Sequence, residues 1–317
     1  DLESEDWFRL PETSAPVMPS YWPEPIFGAA RRASEEDLRP MLFPPDEPSP
    51  ACFRDVSLIL ADGCLYKRNF YLNSELRSQN LLISSITGGG KTQKYILPLL
   101  LQDFQNRTPT LSLDTKCEQY ELLRQFPNSR GRLMIWNPMD PTRSTVAINV
   151  LEACGDDPGM WLNVGQIFIQ ANTTASSGDG EWFNQNSARL IAGCGMAIRK
   201  RKGQVCFADI LQVLEWSQNR LTQFLEVAAV PFIGSILSFM ASGSHDAETV
   251  FATARNALRL FIDKGVAAAT SVSEFTLSDL VRGRKTLIIE VLPEHCAYVR
   301  PILNLFFTTL LDDSCEA

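Results

Sequence analysis

The stretch from Leu81 to Thr92 restricts the possible folds more than any other. An apolar run ends in Ser84, Ser85, Ile86, Thr87, Gly88, Gly89, Gly90, Lys91 and Thr92, and a helix-forming segment follows at once. Strand, glycine loop, lysine, threonine and helix is the order of a phosphate-binding loop. Glycines let backbone N–H groups approach phosphate oxygens closely, and a helix N-terminus adds its partial positive charge to that nest of donors. Lys91 would neutralise the β and γ phosphates, and Thr92 would offer its hydroxyl to Mg²⁺. The full pattern places a glycine where this chain has Ser85. Serine lacks glycine's access to positive φ. A glycine-rich turn carrying a surface lysine is the plain alternative.

A second element follows at Leu111, Ser112, Leu113, Asp114, Thr115, Lys116, Cys117 and Glu118, with an acid at the carboxyl end of a strand. Parallel sheets bind their ligands at that end. Asp114 is read as supporting the metal side through Mg²⁺-bound water, or as the cap of the following helix with Glu118 in its first turn. The two roles are compatible.

The surrounding pattern predicts an α/β fold. Residues 56–60, 80–84, 110–114 and 132–136 read as strands, with helices over 91–101 and 116–125 between them, which argues for a parallel sheet with crossover helices. Helical periodicity then runs through 160–172, 181–202, 207–216, 220–227 and 246–263. A strand returns at 285–292, and a last amphipathic helix covers 299–311. Asp312 and Asp313 finish that helix in this reading, so the strand with an acidic pair that polarises the attacking water is missing, and Glu290 is either a core-edge acid or a pocket acid. The expected division is an arm or linker over 1–50, a first nucleotide-binding part over 51–152, an all-helical insertion over 153–275 and a return segment over 276–317.

Composition narrows the function classes. With 45% hydrophobic and 21% charged residues the chain is an ordinary globular one, and its net charge of −8 excludes an all-round cationic coat for nucleic acid. The eight cysteines form no C-x-x-C pair and read as small core residues of a reducing compartment. Residues 1–50 hold ten of the 19 prolines, interleaved with acids and with Trp7, Phe8, Trp22 and Phe27. The first ten residues carry four acids, unlike a secretory signal, and a start at Asp1 without Met reads as a piece of a longer protein. Residues 227–244 carry no charge, but Pro231 and Gly234 interrupt them, so two short buried helices are expected there. Arg199, Lys200, Arg201 and Lys202 read as solvated charges at a helix C-terminus, with a substrate-facing role as the alternative. Trp182 and Phe183 read as packing residues, and His245 and His295 receive no role.

The chain resembles a type IV secretion coupling ATPase of the TraG type. Phe27 to Arg32 followed by Glu35, Glu36, Asp37 and Leu38 resembles the segment after that family's membrane anchor. Thr87 to Thr92 with Pro98 resembles its phosphate loop, and Asp114, Lys116 and Glu118 resemble its D-x-K-x-E motif. Asn137 and Pro138, then Asn149, Val150 and Leu151, resemble its next segment. Ser85 departs from the family pattern, as do Thr115 and Cys117 where proline and glycine are common.

The resemblance implies a RecA-like P-loop domain with an inserted all-α domain, assembled as a hexamer on the cytoplasmic side of the bacterial inner membrane with its anchor upstream. It implies ATP and Mg as cofactors, with Thr87, Gly88, Gly89, Gly90, Lys91 and Thr92 binding nucleotide, Lys91 and Asp114 catalytic, and Thr92 and Asp114 on the metal side. The partners it implies are the secretion machinery and relaxase-bound DNA or effector proteins that meet the helical domain. Because the chain ends before the family's acidic-pair strand, this piece alone is expected not to hydrolyse ATP. Two other readings stay open: a non-hydrolysing substrate or adaptor receptor, and an unrelated P-loop kinase.

Overall fold

The computed structural model describes residues 51–59, 65–72, 83, 90–126, 129, 131–172, 179–232, 234–241, 245–275, 280, 282 and 284–315. The arm over 1–50, most of the strand expected at 80–84 and Thr87, Gly88 and Gly89 lie outside them. Two compact units are present, Asp1–Thr108 and Pro109–Ala317.

In the first unit, β1 (Ala51–Ile59) pairs antiparallel with β2 (Leu65–Leu72), with an irregularity in register between Phe53 and Val56. The strand expected at 56–60 therefore belongs to a hairpin, whereas the sequence pattern suggested a place in the parallel sheet. Its partner, LYKRNFYL, is rich in aromatic and bulky residues and would have passed as a strand on propensity alone. A π-helical turn, Thr92–Ile96, runs into α1 (Leu97–Asn106), which lies against β1. Pro98 is the second residue of α1, directly after the π-helical turn, and Arg107 ends the helix with φ 59°.

The second unit is built on a three-stranded parallel sheet in the order β3 (Thr110–Asp114), β5 (Thr286–Glu290), β4 (Leu133–Trp136). Every residue of β4 and β5 is buried. That explains why both read as unbroken apolar runs instead of alternating ones. Asp114 pairs in register with Glu290, so two acids stand side by side at the carboxyl end of the sheet. The short helix α2 (Gln119–Leu123) separates β3 from β4.

Between β4 and β5 the chain forms α3 (Pro158–Asn172), α4 (Asp179–Lys202), α5 (Phe207–Leu214), α6 (Gln218–Ala228), α7 (Gly234–Ala241), α8 (His245–Ala257) and α9 (Lys264–Ala269). The uncharged stretch at 227–244 is the end of α6, a turn at Pro231 and α7, as its proline suggested. Among the described residues no helix is long and apolar enough to cross a membrane. After β5, α10 (Pro293–Cys315) starts earlier than the periodicity indicated and carries Asp312 and Asp313 within it.

The helices and the sheet share one core. Phe168, Phe207 and Phe261 cluster, with Phe207 stacked on Phe261 at 4.3 Å between ring centroids. Trp136 of β4 meets Phe306 of α10 at 5.5 Å and donates its indole N–H to the carbonyl of Ala269 at 3.0 Å. Gly165 lets α3 approach α4 closely, because a Cβ there would collide with the Ala188 carbonyl.

Candidate functional site

The described end of the glycine loop has the backbone that its sequence requires. Gly90 takes φ +79°, a left-handed conformation that side chains disfavour, and its carbonyl accepts the Lys94 N–H at 2.8 Å. A Cβ at Gly90 would meet the Lys94 side chain only at 3.5 Å, so backbone conformation and not crowding selects glycine there. Lys91 precedes the π-helical turn in helical geometry, and Thr92 is its first residue. No side chain caps this start and no acid lies in its first turn. The helix opening thus keeps positive character suited to phosphate. Gly90, Lys91 and Thr92 are consecutive here; Thr87, Gly88 and Gly89 lie outside the described residues.

In the second unit Asp114 is buried, and its carboxylate is engaged by backbone. Oδ1 accepts the Lys116 N–H at 3.0 Å, and Oδ2 accepts those of Glu118 and Gln119, each at 2.8 Å. Asp114 thus holds the turn that leads into α2 and reaches the N–H of its first residue, Gln119, but the cap position of that helix is taken by Glu118 and not by Asp114 as expected. Glu118 is the residue that precedes α2 and does not lie in its first turn. The helix expected from residue 116 starts only at Gln119, because Cys117 takes φ 56° and breaks the helical path. The family motif D-x-K-x-E thus corresponds to a loop organised by its first acid.

Beside it, Glu290 is fully buried at the end of the central strand. Arg143 donates Nε and Nη2 to the same oxygen, Oε2, each at 2.8 Å, and among the described residues the geometry gives Oε1 no hydrogen-bond partner. The bond to Glu290 raises the Arg143 pKa further, and burial followed by the nearby Glu290 charge pushes the Cys117 thiol up to about 11. Sequence reading had recognised Glu290 as a core-edge or pocket acid but had not found Arg143, which lies 147 positions away.

The Asn137 and Pro138 segment explains how Arg143 arrives there. Asn137 Oδ1 accepts the N–H groups of Met139 and Asp140, Asp140 in turn accepts from Thr142, and the Ser144 hydroxyl accepts the Asn137 N–H at 2.8 Å. These local bonds fold 137–144 into a tight turn that aims Arg143 back at β5. Asn149 similarly joins sheet to helices: its Nδ2 donates to the Val205 carbonyl at 2.8 Å and its N–H donates to the Ser273 hydroxyl at 3.0 Å.

The remaining candidates divide clearly. Arg199 pairs with Asp156 at 3.1 Å, Lys202 pairs with Asp209 at 2.8 Å, and Lys200 donates to the Ala228 carbonyl at 2.8 Å. Phe183 packs on the core, but Trp182 is 44% exposed.

A parallel sheet with acids at its carboxyl end and a glycine–lysine–threonine helix start define an α/β protein of the P-loop nucleotide-binding class. The structure is similar to that of the bacterial conjugative coupling protein TrwBdeltaN70 in its unbound form, with a TM-score of 0.59 and 14% identity over 90% of this chain and 60% of that one. TrwB in complex with the non-hydrolysable GTP analogue GDPNP is also similar, with a TM-score of 0.50 and 16% identity over 71% of this chain and 50% of that one. The fold is thus the RecA-like P-loop fold with added helices. The chain belongs to the type IV secretory system conjugative DNA transfer family, whose model matches residues 53–314. It is 25% identical to the protein VirD4 of Rhizobium rhizogenes over 252 residues, 77% of this chain, and spans 37% of that relative's length.

Proposed function

We propose that this chain is the nucleotide-binding part of an ATP-dependent coupling protein that brings DNA–protein or effector-protein substrates to a type IV secretion channel. The observation that carries the reading is the start of the helix at Gly90, Lys91 and Thr92, with its left-handed glycine and uncapped, acid-free first turn, inside a chain of the conjugative DNA transfer family. Thr87, Gly88, Gly89 and Gly90 would cradle the phosphates with backbone N–H groups, as phosphate loops do. Lys91 would neutralise charge on the β and γ phosphates, and Thr92 would ligate Mg²⁺. Bound Mg²⁺ and triphosphate supply the electrophilic phosphorus and the charge that holds it; this chain's residues bind and orient them.

Asp114 acts in this proposal through the loop that it folds, with one remaining lone-pair direction for a Mg²⁺-bound water. The helical stretch over 153–275 is the inserted domain that meets substrate or adaptor. The full-length protein works as a hexamer at the cytoplasmic face of the inner membrane and hydrolyses ATP. Binding of a fluorescent ATP analogue with Mg²⁺ tests the reading. The chain should bind it and Lys91→Ala should weaken binding at least about tenfold. Equal affinity of the two proteins sinks the phosphate-loop assignment.

A further inference from the structure

The inserted helices carry a cavity of about 610 Å³ between the C-terminal half of α4 and α6, lined by Ala197, Lys200, Arg201, Trp216, Arg220, Gln223, Phe224, Val227 and Ala228. Its volume lies within the about 300 to 1,000 Å³ typical of ligand pockets. Its floor is apolar, its rim holds three cations, and no carboxylate among the described residues lines it, although the chain as a whole has a net charge of −8. Val227 is 87% exposed at its edge, an aliphatic side chain left in water by its own fold.

The basic run at the end of α4 sorts itself around this cavity. Arg199 and Lys202 point away to Asp156 and Asp209, while Lys200 and Arg201 line the cavity. The helix dipole favours cations here, but it does not explain why Arg220, in the first turn of another helix, joins them. Arg220 lies over the Trp216 ring at 3.9 Å, and the Phe224 ring meets Trp216 edge-on at 5.5 Å.

That arrangement decides between two anionic partners. Single-stranded nucleic acid needs open aromatic faces on which bases stack. One face of Trp216 is already covered by a guanidinium and its ring is packed in a T-shaped pair with Phe224, so it offers no open stacking platform. A guanidinium fixed on an indole is instead oriented to meet a carboxylate, and an apolar floor accepts a bulky side chain.

We infer that this cavity docks an acidic peptide segment anchored by a large apolar side chain, its carboxylates meeting Arg201, Arg220 and Lys200 and its anchor seated against Val227, Phe224 and Ala228. The inference rests on the proposed role of the helical domain in meeting substrate or adaptor, and it names the chemistry of that contact.

The test uses the full chain and a fluorescein-labelled peptide of about a dozen residues in which two Phe are flanked by Glu, read by anisotropy. Comparison probes replace every Glu by Lys, replace both Phe by Ala, or are an oligothymidylate of about a dozen nucleotides. The acidic Phe peptide should bind at least about tenfold more tightly than each of them. Val227→Asp and Arg201→Glu, both at exposed positions and with the fold of each variant checked by circular dichroism, should each weaken it about tenfold. No measurable binding, equal binding of the Lys or Ala peptide, or unchanged affinity in both variants overturns the inference. Tighter binding of the oligothymidylate, lost in the same variants, overturns it in favour of nucleic acid. Binding of the Mg²⁺–ATP analogue is read on the same samples. Its loss with peptide binding kept sinks the coupling-protein reading alone, and the reverse sinks only the docking inference.

Discussion

Arg143 and Glu290 meet across 147 residues of sequence, with Nε and Nη2 of the guanidinium both 2.8 Å from one carboxylate oxygen. Glu290 is fully buried while Arg143 is 44% exposed on its side chain, so the two partners do not carry equal risk. Arg143→Met strands a carboxylate away from water, whereas Glu290→Gln strands a guanidinium that already reaches it. We expect Arg143→Met to cost about 2 to 3 kcal/mol, below the about 3 to 5 of a wholly buried pair, and Glu290→Gln to cost about 1. Urea unfolding of both variants and of the double variant checks this. The double variant should be more stable than Arg143→Met alone, and a double variant less stable than either would show that the pair is not the unit that matters.

Cys117 departs from the family's usual glycine at a place where the backbone demands one, since its φ is 56°. A non-glycine residue pays about 1 to 2 kcal/mol for that conformation. Cys117→Gly should therefore raise stability by up to about 1 kcal/mol, less whatever packing the thiol provides. The thiol itself should be sluggish. With its pKa pushed from 9.0 up to about 11 by burial and by Glu290, its thiolate fraction at about pH 8 is about a hundredfold below that of an ordinary thiol. Site-resolved alkylation with iodoacetamide should show that lag, with the rate climbing about tenfold per pH unit toward pH 11.

The same residues show where sequence reading reaches and where it stops. β4, β5 and most of the helices were legible because burial on both faces writes an apolar run and burial on one face writes a helical period, while β3, half-buried or exposed before Asp114, was read from a short run that ends in an acid. β1 was legible as a strand and β2 would have passed as one on propensity, but their antiparallel pairing was not legible, because alternation of strands and helices suggested a place in a parallel sheet. The helix after β3 was drawn too long: nothing in Thr115, Lys116 and Cys117 announces a left-handed residue unless glycine stands there. The helix start at Gly90, Lys91 and Thr92 was readable because glycine, lysine and threonine stand there in consecutive positions. Glu290 was readable as a core-edge or pocket acid, but its pairing with Arg143 was not, since a contact made by a turn on one side of a long helical segment and a strand on the other leaves no local spacing to find. The basic run at the end of α4 was visible as charge, yet only the neighbours Asp156 and Asp209 separate Arg199 and Lys202 from Lys200 and Arg201, which line the cavity.

Close approach of α3 and α4 depends on the missing side chain of Gly165. A Cβ at that position would overlap the Ala188 carbonyl, which belongs to the α4 backbone and cannot swing aside as a flexible side chain would. Gly165→Ala should therefore lower stability by about 1 to 3 kcal/mol, although alanine is the better helix former and would raise it by about 1 kcal/mol at an exposed site. Thermal unfolding followed by circular dichroism measures the sign directly. A variant as stable as the parent would mean that the helices can part at no cost, and the shared core would then be looser than its burial indicates.

Asp209 closes the start of α5 by a reciprocal pair of bonds: its carboxylate accepts the Cys206 N–H at 3.1 Å, and it also holds the Lys202 ammonium at 2.8 Å. Burial alone would raise its pKa, but the Lys202 and Cys206 hydrogen bonds together outweigh that and hold it below the ordinary 3.8. A carboxylate whose folded pKa lies below its unfolded value stabilises the protein above the unfolded value and loses that contribution as pH falls through the folded one. Asp209→Ala should thus cost about 1 kcal/mol near neutral pH, the usual scale of a lost helix cap. The difference between parent and variant should stay level down to about pH 4 and shrink below 3.8, where the parent's own carboxylate takes up its proton. Denaturant titrations of both proteins from pH 7 to about pH 3 measure it, and a gap that widens on acidification would reverse the sign and remove the carboxylate from its stabilising role.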